Sequence, residues 1–146
     1  MATPPTIFVL NGPNLNLLGL REPEVYGSDT LDDIADALED RAQELGLAVD
    51  IRQSNHEGHL IDWLHEAQAS GAKVVILNAG GFSHTSVALH DAVKAVSVPV
   101  IEVHLSNPQA RERFRHRSLI APAARGTITG LGAHGYVLAL DAAARL

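Results

Sequence analysis

The run Val74-Val75-Ile76-Leu77 is the most apolar strand-like stretch of the chain, and the polar residue Asn78 follows it. A continuous run of β-branched and aliphatic residues is typical of a strand buried on both faces, as the central strands of a parallel sheet are. Four other short runs predict further strands, at residues 7–10, 48–53, 99–104 and 126–129. The run at 48–53 is less apolar, which favours a place at the edge of the sheet.

Helical patterns separate these predicted strands. Thr30, followed three residues later by Asp33, is typical of a capping box that opens a helix, and Gly46 predicts the end of that helix. Apolar residues at helical spacing predict later helices around 60–67, 86–96 and 136–144. This alternation favours a single α/β domain over residues 1–146, with an open parallel sheet and helices on both faces. The flavodoxin-like strand order 2-1-3-4-5 is the usual one for such a sheet.

Composition and charge narrow the class of protein. The chain has 146 residues, 46% hydrophobic and 19% charged, which is typical of a globular domain. A formal net charge of −6 disfavours a broad nucleic-acid surface or an anchor on an anionic membrane. The absence of cysteine excludes disulfides and cysteine nucleophiles. No apolar run approaches the roughly 20 residues of a membrane span, and residues 1–6 do not resemble a signal peptide. We therefore expect a cytoplasmic protein.

Polar residues are concentrated in the loops after the first, third and fourth predicted strands. In an open parallel sheet, ligands bind beyond the carboxyl ends of the strands, at the switch between the first and third. The first of these loops, residues 11–28, is longer than a plain connection, as loops that bind or cover a ligand often are. The polar residues of the loops include Asn11, Asn14, Arg21, Tyr26, Asn78, Ser83, His84, Glu102, His104, Ser106 and Asn107.

Two pairs of these residues suggest acid–base chemistry. Arg21 precedes Tyr26 on one loop, and a nearby guanidinium stabilises a phenolate, which would make Tyr26 a usable general base near neutral pH. Glu102 and His104 share one strand face, where the carboxylate would orient the imidazole and favour the imidazolium, a proton donor. The alternatives are a tyrosine packed under the loop and a purely structural histidine. Asn78 at the end of a buried strand suggests a wall of the ligand site.

Other patterns suggest different functions. A metal-assisted hydrolase could use His56, His59 and His65, although they lack a recognised ligand spacing. A flavodoxin-like nucleotide-binding or signalling module is the second alternative. Residues 130–135 match the dinucleotide motif G-x-G-x-x-G, but too few residues follow for another strand, so tight helix–sheet packing is the better interpretation.

We interpret the basic run 111–117 as a solvated or subunit-facing patch, from which one arginine could reach a ligand.

The chain also resembles a known family over nearly its whole length. The segments that carry the resemblance are Asn11-Gly12-Pro13-Asn14-Leu15-Asn16-Leu17-Leu18-Gly19, Arg21-Glu22-Pro23, Tyr26-Gly27, Gln53-Ser54-Asn55-His56-Glu57-Gly58, Asn78-Ala79-Gly80-Gly81, His84-Thr85-Ser86, Glu102-Val103-His104, Ser106-Asn107, Gly130-Leu131-Gly132 and Gly135-Tyr136. They are similar to the motifs of type II 3-dehydroquinate dehydratases. The resemblance implies a flavodoxin-like lyase of the shikimate pathway. Such an enzyme converts 3-dehydroquinate to 3-dehydroshikimate and water by anti elimination through an enolate.

The resemblance also implies roles for individual residues. Tyr26 would take the proton from the carbon next to the ketone, and Arg21 would hold Tyr26 as tyrosinate. His104, oriented by Glu102, would protonate the departing hydroxyl, and Asn14 would help to stabilise the enolate through a water. The residues implied in substrate binding are Asn78, His84 and Arg115 for the hydroxyls, the backbone of Leu105 and Ser106 for the carboxylate, and Asp91 from a neighbouring subunit.

Cofactor use and assembly are further expectations. Neither Lys73 nor Lys94 lies near the predicted site, which argues against a Schiff base. The resemblance implies that no metal or organic cofactor is needed. It also implies a homo-oligomer, a dodecamer built of trimers, whose only small-molecule partner is the substrate.

Overall fold

The computed structural model describes residues 3–146. The strands are β1 Thr6–Asn11, β2 Ala48–Gln53, β3 Val74–Asn78, β4 Val100–His104 and β5 Gly126–Thr129. The α-helices are α1 Pro23–Tyr26, α2 Leu31–Leu45, α3 Glu57–Ala69, α4 Val87–Ala95 and α5 His134–Ala144. The strands form one parallel sheet in the order β2-β1-β3-β4-β5. The predicted α/β class and the flavodoxin-like strand order are confirmed.

The side chains of β1 show how helices cover both faces of the sheet. Ile7 and Val9 pack in a cluster with residues of α2 and α5. Phe8 and Leu10 pack on the opposite face, in a cluster with residues of α3 and α4. Successive side chains of a strand point to opposite faces, so a strand covered on both sides must be apolar throughout. The same reason explains β3, which lies at the centre of the sheet with every residue buried.

Helix α2 begins and ends where the sequence predicts. The Thr30 hydroxyl accepts a hydrogen bond from the Asp33 amide at 3.1 Å, and the Asp33 carboxylate accepts one from the Thr30 amide at 2.9 Å. This capping box satisfies amides that the first turn of a helix leaves without partners. Gly46 ends the helix in a left-handed conformation, with φ 72°. Ile34, Leu38 and Ala42 form its buried face.

The loop between β1 and α2 contains two short helical elements that the sequence analysis did not predict. They are a 3₁₀ turn at Leu15–Leu17 and the one-turn helix α1. Pro23 suits the first position of α1 because that position needs no amide donor. Helix α5 also begins at His134 rather than at the predicted Tyr136. Within residues 3–146, no helix combines the length and the apolar character that a membrane crossing requires.

The carboxyl ends of β1 and β3 lie side by side at the end of the sheet where its parallel strands terminate, which we call its carboxyl edge. Asn11 pairs with Asn78 in the register of these strands, and the Gly12 amide donates to the Asn78 carbonyl at 2.8 Å. A Cβ atom on Gly12 would lie 2.5 Å from the Ala79 carbonyl oxygen. Only glycine lets the two loops approach this closely. Strand β4 ends at the same edge, and the three loops together form the candidate site.

Candidate active site

A cavity of about 170 Å³ opens at this edge of the sheet, and we call it the edge cavity. Its walls come from the loops after β1, β3 and β4 and from the segment 108–115. The residues that line it are Pro13, Asn14, Leu15, Arg21, Tyr26, Asn78, Gly80, Gly81, His84, His104, Leu105, Ser106, Pro108, Arg111 and Arg115. Most of the predicted site residues are therefore brought together in one place. Two are absent from the lining, Glu102 and Asp91.

Glu102 lies behind the cavity wall, where it contacts His104. The Glu102 Oε2 and His104 Nε2 atoms are 2.8 Å apart. The side chains are only 1% and 10% exposed, respectively. Strand β4 places them two residues apart and hence on one face. This is the geometry in which a carboxylate orients an imidazole and stabilises its charged form.

His84 lies beside His104 in the wall of the edge cavity. The two rings are stacked, with centroids 6.4 Å apart and planes inclined by 20°. The His84 Nδ1 atom lies 2.9 Å from the Arg117 carbonyl oxygen, which holds the ring by its donor nitrogen. The second ring nitrogen is left for a ligand in the edge cavity, which His84 lines.

Tyr26 lies between two guanidinium groups at the end of α1. The Cζ atom of Arg21 is 4.9 Å from the centroid of the Tyr26 ring, and that of Arg111 is 5.0 Å from it. Both guanidinium groups therefore lie within cation–π distance of the ring. The Arg21 guanidinium also has a weak ion pair, 3.4 Å from the Glu22 carboxylate. Tyr26 is half-buried, packs against the hydrophobic cluster on the α2 and α5 side of the sheet, and also lines the edge cavity.

Sequence reasoning did not identify Arg111 as a specific site residue. It belongs to the basic run 111–117, for which we expected a solvated or subunit-facing patch with one arginine reaching a ligand. Two members of the run, Arg111 and Arg115, line the edge cavity. Arg115 also donates from Nε to the Glu112 carboxylate at 2.6 Å, and this bond lowers the pKa of Glu112. In the sequence, Arg111 is only one member of the basic run. The run does not indicate which of its arginines lines the cavity.

A buried chain of hydrogen bonds fixes Asn78. Its Nδ2 atom donates to the Tyr136 hydroxyl at 2.9 Å, and that hydroxyl donates to Asn11 Oδ1 at 2.6 Å. The Asn78 Oδ1 atom accepts from the Gly80 amide at 3.2 Å, so the amide has one orientation. Burial raises the pKa of the fully enclosed Tyr136 phenol, which keeps it a neutral donor. Each side of the Asn78 amide can make one more hydrogen bond, and those positions suit a ligand.

Asn14, Leu105 and Ser106 occupy the remaining walls. Asn14 has a left-handed backbone with φ 69°, and its amide donates to Asn55 Oδ1 at 3.0 Å. That contact holds the exposed Asn14 side chain at the mouth of the cavity. Leu105 and Ser106 follow β4 directly, and both line the cavity. Asp91 is exposed on α4.

The structure also places the histidines of the metal alternative and the lysine of the Schiff-base alternative. Within residues 3–146, no group of three or more histidine, cysteine, aspartate or glutamate side chains comes together as a metal site would. His56 and His59 are neighbours, with ring centroids 4.9 Å apart, but His59 Nδ1 is 2.7 Å from the Ser54 hydroxyl. The Lys73 Nζ atom donates to the Ala144 carbonyl at 3.0 Å. Lys73 precedes β3, so it lies at the sheet edge opposite the cavity.

The edge cavity therefore brings together a phenol beside two guanidinium groups and an imidazole backed by a buried carboxylate. A phenol and an imidazole on one small cavity can serve as a base and an acid. The cavity is the size of a small polar molecule, and its other walls offer amide, imidazole and guanidinium groups for hydrogen bonds.

Known proteins resemble the chain in sequence and in structure. The sequence model of class II dehydroquinases matches residues 5–144. A 3-dehydroquinate dehydratase of Rhizobium johnstonii is 61% identical over 137 residues, which cover 94% of each chain. The crystal structure of a type II dehydroquinase from Propionibacterium acnes has a TM-score of 0.93 and 44% identity, and covers 100% of this chain and 99% of its own. The crystal structure of a type II dehydroquinase from Butyrivibrio crossotus has a TM-score of 0.94 and 39% identity. The match covers 97% of this chain and 99% of that one.

Proposed function

The chain belongs to the class II dehydroquinase family, and from this premise we propose how its residues carry out the reaction. It is a 3-dehydroquinate dehydratase, which converts 3-dehydroquinate to 3-dehydroshikimate and water. In this dehydration a C–H bond and a C–O bond break on adjacent carbons, and a C=C bond conjugated to the ketone forms. The enzyme must therefore accept one proton and donate another.

In our proposal the elimination is anti and passes through an enolate. The Tyr26 phenolate removes the proton from the carbon next to the ketone, and the electron pair of that C–H bond moves into the enolate. His104 then gives a proton to the departing hydroxyl, which leaves as water while the enolate collapses to the enone. Each acid–base step is expected to contribute about 10²–10⁴-fold to the rate. No Schiff base forms in this scheme.

The surroundings of Tyr26 support its role as the base. Two guanidinium groups, of Arg21 and Arg111, lie within 5.0 Å of the ring centroid. Both arginines line the edge cavity with Tyr26, so a phenolate formed there would have two positive charges close by. We propose that Arg21 holds Tyr26 as tyrosinate. Arg111 adds a second positive charge to the same ring.

The buried pair behind the cavity supports His104 as the acid. The Glu102 carboxylate, 2.8 Å from His104 Nε2, stabilises the imidazolium and fixes the ring. The Nε2 atom is used in this contact, so the Nδ1 atom is the nitrogen that delivers the proton. Glu102 does not line the edge cavity, and its effect on substrate is exerted through His104.

The remaining walls are proposed to hold the substrate. Asn78, His84 and Arg115 would bind the substrate hydroxyls, since each has hydrogen-bonding capacity towards the edge cavity. The backbone of Leu105 and Ser106 would bind its carboxylate. Asn14 at the cavity mouth would hold a water that stabilises the enolate oxygen.

Assembly would complete this site. We propose a homo-oligomer, a dodecamer built of trimers, in which Asp91 of one chain reaches the substrate site of a neighbouring subunit. The exposed position of Asp91 on α4 supports this role, because the side chain is open to a second chain. Residues 1–146 act as one catalytic domain in the cytoplasm, with no metal or organic cofactor.

The single observation that carries the mechanism is that Tyr26, between two arginines, and His104, backed by Glu102, line one small cavity. The test is the ultraviolet absorbance of the conjugated enone, measured after 3-dehydroquinate is added to the purified chain. We expect the absorbance to rise with time and the rate to survive exhaustive chelation. A rate that chelation abolishes would favour a metal-assisted reaction instead. No rise at all would refute the proposed activity.

A further inference from the structure

We infer that Ser118 is a positioning residue for this reaction, because its hydroxyl holds Glu102 and Glu102 in turn orients His104. The inference rests on the proposed role of His104 as the acid. Ser118 lies on the segment between the 3₁₀ turn at Arg113–Arg115 and strand β5. Its Oγ atom is 2.6 Å from Glu102 Oε2. It does not line the edge cavity.

The hydrogen bonds of the Ser118 hydroxyl determine where its proton points. The Oγ atom accepts from the amides of Ile120 and Ala121, each at 3.1 Å. A hydroxyl has two acceptor positions and one proton. The two amides use the acceptor positions, so the proton is left for the Glu102 carboxylate. The backbone at 120–121 therefore makes Ser118 an obligatory donor.

Glu102 receives two donors on the same oxygen atom. Ser118 Oγ and His104 Nε2 both lie within hydrogen-bond distance of Oε2, at 2.6 and 2.8 Å. Among residues 3–146, these are the only side chains that donate to Glu102. A carboxylate that accepts from two fixed donors has a fixed plane, and donors to a charged group favour that charge. Ser118 thus holds the oxygen atom on which the position of the His104 ring depends.

A second cavity, of about 250 Å³, adjoins this pair, and its position suggests how Ser118 can be tested. Ser118, Glu102 and His104 all line it, and the other charged or titratable groups there are His84, Arg115 and His116. Because Ser118 borders this space, we expect it to accept the extra methyl of a threonine at position 118. Threonine keeps both functions of the serine hydroxyl, because it can accept from the amides and donate to Glu102.

Three substitutions separate the hydroxyl from the size and shape of the side chain. Ser118→Ala removes both functions, and Ser118→Thr keeps both. Ser118→Val has the shape of the threonine variant but neither donates to Glu102 nor accepts from the two amides. The assay is kcat and KM for 3-dehydroquinate, with the thermal unfolding midpoint of each variant.

We expect Ser118→Ala to lower kcat about 10-fold and to leave KM within twofold, because one hydrogen bond to a charged group is lost and no substrate contact changes. Ser118→Thr should keep kcat within twofold of the wild type. Ser118→Val should lose at least as much as Ser118→Ala. A valine variant as active as the threonine variant would mean that the hydroxyl does not act on Glu102, which would overturn the inference. If Ser118→Ala does not fold, the threonine and valine variants decide between these outcomes.

A double-mutant cycle with Glu102→Gln tests whether Ser118 acts through Glu102. We expect Ser118→Ala to change kcat less than twofold in the Glu102→Gln background. An equal loss of kcat in both backgrounds, or a rise in KM alone, would overturn the inference. Failure of the proposed function would be recognised separately, since the wild-type chain would then form no enone. An active wild type with a fully active Ser118→Ala variant would refute only the role of Ser118.

Discussion

Replacing Glu102 by glutamine removes a negative charge while the size of the side chain is almost unchanged. In the structure the carboxylate is 1% exposed and lies 2.8 Å from His104 Nε2. Hydrogen bonds to charged groups contribute about 1.5–3 kcal/mol, and about 1.4 kcal/mol corresponds to a factor of ten in rate. Because the imidazolium loses this partner, we expect kcat to fall about 10- to 100-fold. KM should change less than threefold, since Glu102 does not line the edge cavity.

The assay is the appearance of enone absorbance at a series of 3-dehydroquinate concentrations, and unfolding midpoints show whether the variant is folded. Asp141→Asn is the matched control. Its carboxylate accepts from Arg41 Nε at 2.8 Å and lies on α5, away from the edge cavity, so we expect its kcat to equal that of the wild type. A Glu102→Gln variant with wild-type kcat would refute the reasoning. So would a large rise in KM at constant kcat, because Glu102 would then act on substrate binding.

Three further predictions concern stability and chemistry. Tyr136→Phe leaves Asn11 and Asn78 without their buried partner, so chemical denaturation should show a loss of about 1–3 kcal/mol, and KM should rise. Burial raises the pKa of Tyr136, so its contribution to stability should be complete below about pH 10 and fall at higher pH; this loss should be absent from the phenylalanine variant. Thr30→Ala should lower the free energy of unfolding by about 0.5–2 kcal/mol at unchanged kcat, because Thr30 does not line the edge cavity, and a large fall in kcat would contradict this expectation. Borohydride added with substrate should leave activity intact, because Lys73 lies at the opposite sheet edge; inactivation that depends on substrate would indicate an imine.

Local patterns in the sequence were sufficient to predict the fold. The apolar run of Val74–Asn78 and the capping box of α2 depend on residues close together in the chain, and both are found where the sequence predicts. The short elements of the loop after β1 could not be predicted in this way. Asn14 has its left-handed backbone beside Asn55, a residue 41 positions away, and no local pattern indicates that contact.

The site shows the same division between local and long-range information. Glu102 and His104 are two residues apart on a strand, so their proximity follows from the strand itself. Tyr136 contacts Asn11 over 125 positions, and its place in α5 resembles that of any core tyrosine. Ser118 and Arg111 are placed by irregular segments, for which the sequence has no periodic signal. Residue types and loops could therefore be predicted, while the supporting contacts required the tertiary structure.

The most direct test of the mechanism is Tyr26→Phe, which removes one hydroxyl and keeps the ring between Arg21 and Arg111. The measurement is turnover of 3-dehydroquinate beside its equilibrium binding to the same variant. We predict that kcat falls by at least about 10²-fold while the dissociation constant stays within a few-fold of the wild-type value, because only the proton acceptor is lost. Turnover at the wild-type rate would contradict the claim that the Tyr26 phenolate is the base.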